Sequence, residues 1–201
     1  MIRVLIAEDQ GMVRGALKAL LAMEDDIEIV AETDRADRVV SLALETKPDV
    51  ALLDIEMPGG DGITAAGQLR KALPACKVLI LTTFGRPGFL RRAMENGAAG
   101  FMLKDAPAHE LALAIRRTTA GERVVDPGLA AAALSSGASP LSGRERDVLI
   151  ASRGGAGIAD IARDLFLSEG TVRNYLSSAI QKLQVTNRAE AARVAEELGW
   201  L

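Results

Sequence analysis

Asp54 ends the apolar run Val50-Ala51-Leu52-Leu53, and Pro58-Gly59-Gly60 turns the chain away soon after. Such a run reads as a strand buried on both faces, as in a parallel sheet, and the Pro-Gly-Gly loop ends it abruptly. The Asp54 carboxylate therefore falls at the carboxyl edge of a central strand, where open α/β sheets carry their chemistry. Other strand ends bring complementary groups: the acidic pair Glu8-Asp9 after residues 2–7, the hydroxyl of Thr82 after 77–81, and the ammonium of Lys104 after 100–103. Three carboxylates at one edge repel one another, so the cluster calls for a hard cation. Oxygen donors that leave room for water and a phosphate suit Mg²⁺. With Lys104 and Thr82 alongside, the oxygens of a phosphoryl group in transfer would be stabilised. Asp54 would be the nucleophile, forming an acyl phosphate. Each residue alone has an ordinary explanation as a capping acid, a β-branched strand residue or a solvated lysine; their meeting at particular strand ends is what points to one site.

The elements that must position these groups follow from the apolar pattern. Helical spacing runs through Val13, Ala16, Leu17, Leu20 and Leu21, and again through Val39, Val40, Leu42, Ala43 and Leu44. A strand at 27–31 lies between them, a helix at 63–73 stops at Pro74, a segment at 89–94 is closed by Asn96-Gly97, and 108–117 is amphipathic. Five strands alternating with five helical segments predict a doubly wound, flavodoxin-like parallel sheet of order 2-1-3-4-5. That order sets the first strand beside the third, so Glu8-Asp9 and Asp54 meet. The expected domains are 1–120, a linker at 121–138 whose first part packs locally and whose Ser/Gly portion is flexible, and an all-helical 139–201.

In the last domain, Ser142-Gly143-Arg144-Glu145 reads as a capping box, Ser168 as the cap of a third helix, and Asn187 to Glu190 as a capping-box-like start of a fourth. The third helix buries Val172, Leu176, Ala179, Ile180 and Leu183, leaving Arg173, Asn174, Ser177, Ser178 and Gln181 opposite. A helix entering the major groove needs such a face: Arg suits guanine and Asn suits adenine. Lys182, Arg188 and Arg193 are candidate phosphate contacts. From residue 139 onward, eight basic and eight acidic residues balance, so charge gives no independent support for DNA binding.

Whole-chain composition sets outer bounds. At 49% hydrophobic and 25% charged, with net charge −3, the chain reads as an ordinary globular protein and not a polyanion-coating one. A single cysteine, Cys76, excludes an intrachain disulfide and a thiolate metal cluster and fits a reducing cytosol. No signal-peptide core opens the sequence, and no apolar run approaches the roughly 18 residues of a membrane span. A cytoplasmic location without membrane insertion is the expectation.

The acidic pair, the Asp-Ile-Glu-Met-Pro-Gly stretch, Thr82 and the Phe101-Met102-Leu103-Lys104 run resemble the receiver domain of bacterial two-component response regulators. The resemblance implies that Asp54 takes a phosphoryl group from a sensor histidine kinase. It further implies Mg²⁺ held by Asp9, Asp54 and the Glu56 carbonyl, with Glu8 acting through water, and Thr82 and Phe101 as a switch pair. Asp105 stands where many receivers have proline, which puts the usual cis peptide there in doubt. Leu141 to Leu149, Ile161-Ala162, Leu167-Ser168, Thr171-Val172-Arg173-Asn174-Tyr175 and Lys182-Leu183 resemble the LuxR-type helix-turn-helix. The whole chain is thus similar to the NarL/FixJ family, and Ile55-Glu56-Met57-Pro58-Gly59, Thr82-Thr83-Phe84-Gly85-Arg86-Pro87-Gly88 and Thr171-Val172-Arg173-Asn174-Tyr175 most resemble the membrane-lipid desaturase regulators. Implied are receiver dimerisation through the first and last helices on phosphorylation, binding of paired half-sites on double-stranded DNA through residues including Thr171, Arg173, Asn174, Ser177, Lys182 and Arg188, and RNA polymerase as a further candidate partner. Ser177 replaces a basic residue of several relatives. Two other readings stay open: a constitutive DNA-binding protein, and a haloacid-dehalogenase-type phosphatase pairing Asp54 with Glu56. The latter fold places its nucleophile on the first strand. His109 reads as a surface residue, Cys76 as inert and Trp200 as packing the last turn.

Overall fold

The computed structural model describes residues 1–83, 85–135 and 139–201. Phe84 and the Ser136-Gly137-Ala138 portion of the expected linker lie outside the described residues. The chain divides into two compact units, Met1–Gly85 with Phe89–Ala131 and Arg86–Gly88 with Ala132–Leu201.

In chain order the elements through residue 125 are β1 (Ile2–Ala7), α1 (Gly11–Leu21), β2 (Ile27–Thr33), α2 (Val39–Thr46), β3 (Val50–Asp54), the short strands β4 (Glu56–Met57) and β5 (Gly60–Asp61), α3 (Gly62–Ala72), β6 (Lys77–Thr82), α4 (Pro87–Glu95), β7 (Gly100–Leu103), α5 (Ala108–Thr119) and β8 (Val124–Val125). The sheet is ordered β2-β1-β3-β6-β7-β8 with all pairs parallel. Its first five strands are the 2-1-3-4-5 order expected from the sequence. β8 is a sixth strand that periodicity does not signal, because two residues carry no period. It pairs with β7 and is followed by α6 (Pro127–Ser135).

β3 is buried along its whole length, as its uninterrupted apolar run requires. Side chains alternate across the sheet. Val4, Ile6, Val50, Leu52, Leu79, Leu81 and Met102 form one core with Leu21 of α1 and Leu111 and Ile115 of α5. Residues of opposite parity, Leu5, Leu53, Ile80 and Phe101, are also fully buried. The register places the strand ends in step: Ala7 pairs with Leu53, Asp54 with Leu81, and Thr82 with Leu103. Glu8, Asp54, Thr82 and Lys104 are therefore carried to one edge by backbone pairing alone.

The second unit holds α7 (Gly143–Ala151), α8 (Ile158–Asp164), α9 (Glu169–Leu183) and α10 (Arg188–Glu197). They close on a core of Leu141, Val148, Leu149, Ile161, Val172, Leu176, Ala179, Ala191 and Ala195, with Trp200 packed against it. Ser142 accepts from the Glu145 N–H and Glu145 accepts from the Ser142 N–H, a complete capping box. Ser168 caps α9 through the Thr171 N–H. At α10 only half the expected box forms: Asn187 accepts from the Glu190 N–H, but Glu190 reaches the N–H and hydroxyl of Thr186 instead. Among the described residues no peptide bond is cis, and no helix is long and apolar enough to cross a membrane.

Where β3 leads into α3, the chain passes itself closely. The Gly62 N–H donates to the Ile55 carbonyl at 2.9 Å, and a Cβ on Gly62 would fall 1.8 Å from the Asp54 carbonyl oxygen. Backbone cannot yield as a flexible side chain can. Gly62→Ala is expected to lower receiver stability by about 3 kcal/mol, the upper range for overpacking, and chemical denaturation followed by circular dichroism measures it.

Candidate functional site

Asp54 is the last residue of β3 and only 5% exposed. One carboxylate oxygen accepts the Ile55 N–H at 2.8 Å, and the other lies 2.9 Å from the Lys104 ammonium. Lys104 also meets Glu8, at 2.7 Å. Its side chain is 7% exposed, so the solvated role open to a lone lysine after a strand does not apply. Glu8 is buried and Asp9 exposed, and ligand oxygens of Glu8, Asp9 and Asp54 all lie within 4.8 Å of one another. Three carboxylates face one ammonium, an excess of two negative charges if all are ionised. Burial, with the charge of Asp54 adding to it, pushes the Glu8 carboxyl above its usual range despite the hydrogen bond with Lys104. Burial works to lower the Lys104 ammonium, but its contacts with Glu8 and Asp54 outweigh that and raise it. A pocket of oxygen donors with surplus negative charge fits a divalent, oxygen-preferring cation.

Thr82 is buried at the end of β6, and Phe101 is wholly buried on the neighbouring strand β7. Glu56 begins the β4–β5 pair, with its side chain exposed. A groove of about 530 Å³ lies between α5 and the residues around β8, and neither Glu8, Asp9 nor Asp54 lines it. His109 is exposed at the start of α5. Cys76 is buried, and burial pushes its thiol up to about 12, so it carries no reactive thiolate.

On α9 Arg173, Asn174, Ser177 and Gln181 are exposed, as are Glu169 and Gly170 at its start and Lys182 near its end. Arg173 pairs with Glu169 one turn earlier at 2.7 Å, and the Thr171 hydroxyl meets that of Ser168 at 2.8 Å. Ser178 turns away from the expected outer face, because its hydroxyl donates to Glu145 at 2.6 Å. Lys182 reaches the same carboxylate at 2.8 Å, with its own side chain 39% exposed. Arg188 donates to the Ala156 carbonyl at 2.9 Å, and Arg193 pairs with Glu197. The residue that sequence reasoning missed is Glu145, seen there only as a cap. It also fixes α9, and the signal was available as a glutamate placed to be buried at a helix start.

The family model of the response regulator receiver domain matches residues 4–116, and that of bacterial regulatory proteins of the luxR family matches residues 139–195. The chain belongs to the LuxR-family response regulators. It is a two-component transcription regulator, and neither family model describes a hydrolytic enzyme. The regulator is 45% identical over 200 residues to the transcriptional regulatory protein DesR of Bacillus subtilis (strain 168), covering 100% of this chain and 99% of that one. It is 44% identical to the uncharacterized transcriptional regulatory protein YvfU of the same strain, over 100% of both chains. The likeness to DesR is the one its sequence motifs indicated. Among solved structures it is similar to the response regulator ChrA of a heme-sensing two-component system, with TM-score 0.59 and 36% identity over 100% of this chain and 98% of that one.

The Glu145 hub makes the DNA-binding unit sensitive to acid. Burial alone would raise this carboxyl, but donors on Lys182, Ser178 and Ser142 lower it from 4.5 to about 2. A carboxyl lowered on folding stabilises above its unfolded pKa, and the contribution fades as pH falls from 4.5 toward 2. Glu145→Gln is expected to cost about 1–3 kcal/mol at neutral pH, a difference that narrows across that acid window. Unfolding followed by Trp200, the only tryptophan, reports on this unit alone.

Proposed function

We propose that Asp54 accepts a phosphoryl group from the phosphohistidine of a sensor kinase, and that this drives dimerisation and sequence-specific DNA binding. The observation that carries the reading is the buried Lys104 ammonium bridging Glu8 and Asp54. An Asp54 carboxylate oxygen forms the new P–O bond as the P–N bond to the kinase histidine breaks, and the imidazole keeps that bond's electron pair. Lys104 orients the nucleophile and faces the incoming charge. Glu8, Asp9 and Asp54, with the Glu56 carbonyl, would hold Mg²⁺, which supplies charge neutralisation on the transferring oxygens.

Phosphorylation adds up to two negative charges beside Lys104 and Thr82. Moving a receiver from mostly inactive to mostly active takes about 5.5 kcal/mol of differential stabilisation, and an ammonium, a hydroxyl and a divalent cation converging on one group are the means to supply it. Thr82 moving toward the phosphoryl group and Phe101 repacking behind it would pass the change outward. Supporting dimerisation through α1 and α5, Met12 and Leu20 on α1, Met23 just after it, and Leu113 on α5 are exposed apolar side chains. A dimer presents two α9 helices to paired half-sites, gaining affinity by effective concentration. Arg173, Asn174 and Ser177 face outward for base contacts and Thr171 lies at the helix start. Lys182 and Arg188 are held by internal partners and positioned for phosphates.

Beryllofluoride with Mg²⁺ mimics the phosphoryl group without needing the kinase. The expected result is a monomer that doubles in solution mass in the wild type but not in Asp54→Ala, with the effect lost on adding EDTA. Equal mass and equal DNA binding by both proteins under every condition would establish the constitutive reading. On an operator recovered by selection from random duplexes, Asn174→Ala is expected to weaken binding by about 1–3 kcal/mol and relax preference at one position, as read by fluorescence anisotropy.

A further inference from the structure

Phe166 lies in the turn between α8 and α9, and its side chain is 95% exposed. Among the described residues no other large apolar side chain stands further into solvent. Phe166 also has a positive φ, +54°, which only Lys47 and Gln184 share among the described non-glycine residues.

The backbone explains the angle but not the residue. α8 closes with the Leu167 N–H donating to the Ala162 carbonyl at 2.8 Å and the Phe166 N–H to the Arg163 carbonyl at 3.3 Å. That pair of bonds is a Schellman motif, which needs a left-handed residue where Phe166 stands and ordinarily takes glycine there. An aromatic side chain at this position carries the steric cost of the left-handed region. The apolar contact that accompanies the motif comes from the next residue, Leu167, which packs against the helical core. A disfavoured backbone and a fully exposed ring thus coincide in one side chain, and glycine would serve the turn better on both counts.

The place of the turn decides what the ring can meet. In a helix-turn-helix the second helix sets its N-terminal residues against base edges, while the first crosses the sugar-phosphate backbone. The turn joining them therefore borders the wall of the major groove. Ser168, two residues after Phe166, caps α9. The charges around the turn do not prepare it for phosphate: Asp160 is paired with Arg163 and Glu169 with Arg173, and Asp164 is exposed. An apolar contact is what remains to the ring, and the methyl group that a major groove presents is the C5-methyl of thymine.

We propose that Phe166 is a specificity-determining residue of the DNA-binding unit, packing its ring on a thymine methyl at the edge of each half-site. This contact rests on the reading of α9 as the recognition helix. It adds preference for one base without adding to the salt dependence of binding, unlike phosphate contacts from Lys182 or Arg188.

The test is a cycle of protein and DNA substitutions on the operator selected from random duplexes, with the full chain, beryllofluoride and Mg²⁺, read by fluorescence anisotropy. Each thymine of one half-site is replaced in turn by deoxyuridine, which removes only the methyl group. At one position the loss is expected to weaken wild-type binding roughly fourfold, the worth of one buried methyl. Phe166→Gly is expected to bind the thymine operator roughly sixteenfold more weakly, one such contact being lost in each half-site, and to bind the deoxyuridine duplex no worse. Its slope of log affinity against log salt should match wild type, whereas Lys182→Ala lowers the slope by about one per half-site. Phe166→Gly should also melt about 5 °C higher, because glycine relieves the left-handed strain, so weaker binding does not come from unfolding. Unchanged operator affinity in Phe166→Gly, or no thymine whose methyl matters to wild type and not to the variant, overturns the proposal and leaves the ring to a protein partner. If Asn174→Ala also binds as wild type does, the reading of α9 as the recognition helix falls with it.

Discussion

The constraint on which the receiver depends is electrostatic repulsion held in place by backbone pairing. Parallel register delivers Glu8 and Asp54 to adjacent strand ends, and the sheet cannot separate them without breaking its ladder. Lys104, two strands away from β3, bridges both with a single ammonium, so the edge is balanced only in part. A protein optimised for stability alone would fill such a position with apolar groups, because buried charges gain little over well-packed side chains. The deficit of positive charge makes the edge receptive to a cation and responsive to added phosphoryl charge.

The helical unit solves a different problem with similar means. Glu145 joins the start of α7 to the later part of α9 by gathering Ser142, Ser178 and Lys182 around one carboxylate. Apolar packing by Val172, Leu176 and Ala179 sets the depth of α9, but apolar contacts are non-directional and permit rotation about the helix axis. A directional polar contact removes that freedom, and so fixes which residues face outward.

The arrangement of β1, β3, β6 and β7 was legible because each is a contiguous apolar run ending in a polar group, and the order 2-1-3 then brought Glu8 to Asp54. The carboxylate cluster and Lys104 were legible for the same reason. β8 was not, since Val124-Val125 reads the same in a strand or a loop. Ser178 was misplaced because helical periodicity assigns a face only to within about one residue's turn, and the deciding contact comes from Glu145, 33 residues away.

The two-residue strand β8 bears on how the protein survives at high concentration. An open parallel sheet ends in unpaired backbone groups that invite strands from other molecules. On one side β7 is covered by β8, which is too short to template further growth. On the other side β2 carries Glu28 and Glu32 along a mostly β-branched sequence, and Glu32 is bound to Lys18. One edge is shortened and the other charged, so neither offers a long, flat template on which strands of other molecules could add.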